Sequence, residues 1–107
     1  MIRRHPRAIE AIIDQALFIS GFDANAANRF IDAVEQSLLR LQEWPEIGKA
    51  WESNHPELAG VRWWPVEGFP NVLIFYRPNI DGIDLIHLLH GSRDLRNVLA
   101  ELDDDRA

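Results

Sequence analysis

Four residues in the second half of the chain carry side chains suited to phosphoryl chemistry: Arg62, Arg77, His90 and Arg93. An imidazole serves as general acid or base, and guanidinium groups stabilise negative charge on a phosphorane. Together they suit RNA cleavage through attack by a 2′-hydroxyl, provided a strand meander brings them near one end or edge of a sheet. The simpler reading makes Arg62 and Arg77 solvated strand residues, paired with Glu67 or Asp84. His90 is then a strand terminus and Arg93 a residue near the start of a last helix. Spacing alone predicts no shifted pKa, so the simpler reading is favoured.

Other chemistries find less support. The chain has no cysteine, which removes a thiol nucleophile, a disulfide framework and a thiolate metal site. Its glycines are scattered and form no phosphate-cradling loop, and none of Ser20, Ser37, Ser53 and Ser92 stands in a nucleophile-elbow context. His87 and His90 are three apart, which on a strand places them on opposite faces. No metal and no cofactor is therefore expected.

The elements that must position these residues follow from apolar periodicity and turn chemistry. Residues 61–66, 72–77 and 83–90 read as three strands, separated by the turn-forming stretches 67–71 and 78–82. The run Val72-Leu73-Ile74-Phe75-Tyr76 is continuously apolar, as in a central strand covered on both faces. Pro65 marks a bulge or an edge position, because proline has no N–H for a ladder. Upstream, Ile2–His5 could form a short first strand, and Pro6 suits a first helical position.

From 7 to 20 the pairs Ala8/Ile9, Ile12/Ile13 and Ala16/Leu17 predict one buried helical face, ending at Gly21. Asp23 then caps a helix over 24–43, with Ala27, Phe30, Ile31, Val34, Leu38 and Leu41 inside and Trp44-Pro45 as its stop. Residues 45–60 read as a long loop pinned by Ile47, Trp51 and Leu58. Asp94 is expected to cap a short last helix carrying Leu95, Val98, Leu99 and Leu102, with 103–107 frayed.

A chain of 107 residues, 47% apolar and 26% charged, fits one soluble domain spanning 1–107. It has neither a bilayer-length apolar run nor a signal-peptide pattern, and a cytoplasmic location without membrane association is expected. The net charge of −6 argues against broad nucleic-acid binding by the chain alone. One helical hairpin covers only one face of an apolar meander, which predicts an exposed patch near Trp63 or Trp64 and a partner to cover it.

Three stretches resemble the RelE/ParE toxin superfamily of type II toxin–antitoxin systems, closest to its ParE, or plasmid-stabilisation, branch. Trp44-Pro45-Glu46-Ile47-Gly48 resembles the family's P-x-x-G helix exit. Gly60-Val61-Arg62, followed by Phe69 to Arg77, resembles its central R … F-x-x-Y-x-I-x-Y-R pattern. Ile86 to Asp94 resembles its V-L-H-G-x-R-D end. The resemblance implies an α+β fold of order β-α-α-β-β-β, with a helical hairpin packed on a small, twisted, mainly antiparallel sheet and a short C-terminal helix.

It also implies a toxin held in a hetero-oligomer by a ParD-like antitoxin. Trp63 or Trp64 is the expected anchor for that partner, the other facing the core, with Arg62 and Arg93 meeting its carboxylates at the rim. ParE-like toxins are known for poisoning DNA gyrase, which would make this chain a non-enzymatic inhibitor. RelE-like relatives cut messenger RNA on the ribosome, and in that alternative His90 works with Arg62, Arg77 and Arg93. A third reading is a non-toxic binding module on the same fold. The acidic balance and the single lysine, Lys49, favour the first and third readings over a ribosome-bound nuclease.

Overall fold

The computed structural model describes residues 1–51 and 56–91. The expected last helix, the frayed end and Arg93 lie outside the described residues. Strand β1 spans Ile2–Arg4, followed by α1 (Pro6–Ser20), α2 (Ala24–Glu43), β2 (Lys49–Ala50), a short 3-10 turn at Pro56–Leu58, β3 (Arg62–Val66), β4 (Phe69–Asn79) and β5 (Gly82–His90). The five strands form one sheet in the order β1-β5-β4-β3-β2. Only β1 runs parallel to its neighbour, with Ile2 opposite Ile83; the other pairings are antiparallel. The fold is the expected α+β arrangement of two helices on a mainly antiparallel sheet.

Both helix boundaries have visible causes. Pro6 stands in the first turn of α1, where its missing N–H costs nothing. The carboxylate of Asp23 accepts from the N–H groups of Asn25 at 2.9 Å and Ala26 at 3.2 Å, satisfying two orphan donors of α2. Helix α2 buries Ala27, Phe30, Val34, Leu38 and Leu41 as its stripe predicts, whereas Ile31 lies outward.

Helix α1 departs from expectation. It buries Ala8 and Ala16 and partly buries Ala11, Ile12 and Ile19, while Ile9, Ile13 and Leu17 are 42%, 51% and 65% exposed. Small side chains let α1 lie close against β5, and closeness turns the larger stripe outward. The two stripes are adjacent on the helix, so periodicity alone does not separate them.

The sheet buries both its faces. On the helical side Val72, Ile74, Tyr76, Ile83, Leu85 and Leu88 join the residues of α2. On the other, Leu73, Phe75 and Ile86 pack with Trp51, Leu58 and Val61. The connecting segment 45–60 thus supplies part of the second cover, and it contains a strand, β2, where a loop was expected. Trp51 and Leu58 pin it as expected, but Ile47 is 37% exposed.

Two irregularities set the side-chain directions. The register of β4 and β5 shifts between Phe75 and Tyr76, so that Tyr76 faces Leu85 and Phe75 faces His87. Ile86 is the extra residue, and strict alternation along β5 is broken there. The β3–β4 register shifts between Pro65 and Val66, the bulge expected of Pro65. The N–H of Trp51 donates to the carbonyl of Val61 at 2.9 Å, so alternate residues of β3 present their backbone to the β2 side. Pro65 falls on that side, beyond the end of β2, where an absent donor also blunts an open edge.

Candidate functional site

The register places the four residues of the phosphoryl constellation apart. Arg62 lies opposite Tyr76 and Arg77 opposite Asp84, toward one end of β4; His90 lies opposite Val72, toward the other. Five residues of strand separate Val72 from Arg77, about 17 Å. Arg93 lies outside the described residues. His87, opposite Phe75, is on the other face of the sheet from His90. Among the described residues no three of His, Cys, Asp and Glu converge as metal ligands would.

Arg62 and Arg77 are occupied in holding the connecting segment. Arg62 donates from Nη1 to the carbonyl oxygens of Gly48 at 2.7 Å and Glu46 at 3.2 Å. Arg77 donates from Nε to the carbonyl of Ala59 at 3.0 Å. Charged donors on backbone carbonyls are among the stronger hydrogen bonds of a fold, roughly 1.5–3 kcal/mol each.

Beside them stands a contact that sequence reasoning missed. The fully buried Tyr76 donates its hydroxyl to the carbonyl of Pro45 at 2.6 Å and accepts from the N–H of Gly48 at 3.0 Å. Its phenol thereby closes the Trp44–Gly48 segment against the sheet. Burial pushes the phenol above its ordinary value, while the Gly48 N–H and the nearby Arg62 charge pull the other way. A raised acid pKa makes ionisation oppose folding, so this contribution is intact below about pH 10 and is lost as pH rises through the folded value. Alkaline unfolding should therefore show a steeper loss of stability in the parent than in Tyr76→Phe. The variant should also be about 1–2 kcal/mol less stable at neutral pH, as measured by urea denaturation.

Trp63 and Trp64 point to opposite faces, as adjacent strand residues must. Trp63 packs against the second core and carries the Lys49 ammonium 5.2 Å from its ring centre, whereas Trp64 packs against the helical core. Both are half-buried and line a groove of about 470 Å³ with Arg40, Lys49, Pro65 and Pro70.

The larger exposed apolar surface is on the helical hairpin. Ile9 and Ile13 of α1 and Ile31 of α2 border a groove of about 330 Å³, at whose end Arg4 pairs with Glu35 at 2.7 Å. Leu17, Phe18 and Phe22 continue this surface to the hairpin tip at 65%, 63% and 82% exposure. A contiguous apolar surface of this kind marks an interaction site.

Comparison with protein families decides the assignment. Residues 2–95 match the family described as ParE toxin of type II toxin-antitoxin system, parDE. The chain belongs to the ParE toxin family. It is thus the toxin member of a type II toxin–antitoxin pair, and an antitoxin partner comes with membership. No curated protein gives a significant match. The P-x-x-G exit of this ParE-family chain acquires a physical meaning from the geometry above: Pro45 supplies the carbonyl and Gly48 the N–H that Tyr76 bridges. Among the described residues, no helix is long and apolar enough to cross a membrane.

Proposed function

We propose that this ParE-family chain is a non-enzymatic inhibitor of DNA gyrase, acting in the cytoplasm and held inactive by a ParD-like antitoxin. The observation that carries this reading is the apolar surface left open on the hairpin, Ile9, Ile13, Leu17 and Ile31, which needs a partner rather than a substrate. An apolar antitoxin segment docks there and continues over the groove at Trp63 and Trp64, whose large side chains serve as anchors. Arg40 and Lys49 line that second groove and face the segment's carboxylates. In this reading Arg62 and Arg93 meet further antitoxin carboxylates, Arg93 lying outside the described residues.

The nuclease alternative asks His90 to work with Arg62 and Arg77, which lie toward the opposite end of the sheet. Expression without the antitoxin, the product of the gene expected immediately upstream, separates the two when scored for growth, DNA cleavage and messenger-RNA cleavage. Growth arrest with DNA damage and intact messenger RNA is expected, and His90→Ala should leave it unchanged. Loss of messenger-RNA cleavage by about 10²–10⁴-fold in a folded His90→Ala protein would instead establish a general acid or base.

A further inference from the structure

A second exposed apolar feature stands about 20 Å along α2 from Ile31, beyond its C-terminal end. The segment Trp44–Gly48 is fixed from beneath by four hydrogen bonds from or to side chains of the sheet: two at Tyr76 and two from Arg62. With its backbone held, it turns Trp44 and Ile47 outward at 61% and 37% exposure, with Leu39 of α2 at 51%. Trp44 and Ile47 stand between two concavities. One is lined by Leu39, Arg40, Glu43 and Glu67, the other by Glu46, Pro78 and Asn79. The charges lining them are three carboxylates and the single guanidinium of Arg40.

We propose that this Trp44–Ile47 ridge is the surface with which the toxin engages its target, and that the target presents an apolar pocket rimmed by lysine or arginine. The proposal rests on the toxin reading above. The ridge adjoins the antitoxin's second groove, sharing Arg40 and Glu67 with it, but Trp44 and Ile47 themselves line neither antitoxin groove. A ridge already rigid in the free protein loses little conformational freedom on binding. An exposed tryptophan on rigid backbone is the side chain most often found at the centre of binding energy. The carboxylates around it complement a basic rim and speed encounter with one. A second copy of the chain fits poorly, because a symmetric contact would set Glu43, Glu46 and Glu67 against themselves.

The test uses Trp44→Ala, Ile47→Asp and the double reversal Glu43→Lys/Glu46→Lys. Each is measured for thermal stability, affinity for the upstream gene product and growth arrest on induction alone. The first two should abolish arrest, and the reversal should weaken it at least tenfold in the inducer needed. All three should keep the parent's melting temperature and bind the gene product within about twofold of it. Full arrest by folded Trp44→Ala or Ile47→Asp overturns the proposal. So does loss of antitoxin binding, which would assign the ridge to the antitoxin seat, or a parent dimer in sedimentation that Trp44→Ala dissociates. A parent chain that neither arrests growth nor binds the gene product refutes the toxin reading itself, a result distinct from any of these.

Discussion

Replacing Gly48 with alanine should lower the unfolding free energy by about 3 kcal/mol, the combined scale of overpacking and a lost buried hydrogen bond. A methyl group there would overlap the Tyr76 hydroxyl oxygen and stand 2.7 Å and 2.9 Å from two ring carbons. The ring cannot retreat: Tyr76 is fully buried, on the central strand, between β3 and β5. The segment must move instead, which breaks the bridge from Gly48 through the phenol to Pro45 and pulls on the two carbonyls that Arg62 holds. Urea denaturation of Gly48→Ala, Tyr76→Phe and the double variant checks this. The double variant should cost less than the sum of the singles, because both act on one bridge. A Gly48→Ala protein as stable as the parent would mean that the segment is not locked.

The second large effect is on affinity. Ile13→Asp should weaken binding of the upstream gene product at least about 30-fold, the equivalent of roughly 2 kcal/mol, through a carboxylate desolvated at the centre of an apolar contact. Stability should hardly change, since Ile13 is half exposed in the free chain. Ile80→Asp is the matched control: its side chain is 99% exposed at the β4–β5 turn, away from both grooves, and binding should be unaffected. Calorimetric titration of the three proteins reads both numbers. Equal affinity for Ile13→Asp and the parent would move the antitoxin seat off the hairpin.

How much of this was legible in the sequence depended on whether the cause was local. Helix α2 was read with its true ends because Asp23 caps it and Trp44-Pro45 stops it, both within reach of the helix itself. The three strands of the meander were legible for the same reason, but β4 is longer than its turn residues suggest: Phe69–Asn71 and Pro78-Asn79, expected in turns, belong to the strand. The buried face of α1 was not, because two stripes compete and only the closeness of β5 decides between them. Nor was β2, whose two residues carry no period of their own. The bulge at Ile86 was hidden as well, since register belongs to a pair of strands and not to one. At the candidate site, Pro45, Gly48 and Tyr76 were each noticed within family-like stretches. Nothing in their spacing tied Tyr76 to a glycine 28 residues earlier. The open hairpin surface was missed because its residues had been assigned to the core.

The parallel pairing of β1 with β5 also governs timing. Ile2 waits for Ile83 and Arg4 for Leu85, and the amino group of Met1 reaches the carbonyl of Asp81 at 2.6 Å. Helix α1 likewise needs β5 beneath it. At about 5–20 residues per second, several seconds of synthesis separate the first strand from the partner that completes the sheet. Until that last strand emerges, β1 has no neighbour and the hairpin lacks its main support. A nascent or truncated chain ending before Gly82 therefore cannot present the assembled grooves and ridge. The toxin's surfaces are thus assembled late in synthesis, gated by the emergence of β5 rather than by any earlier element.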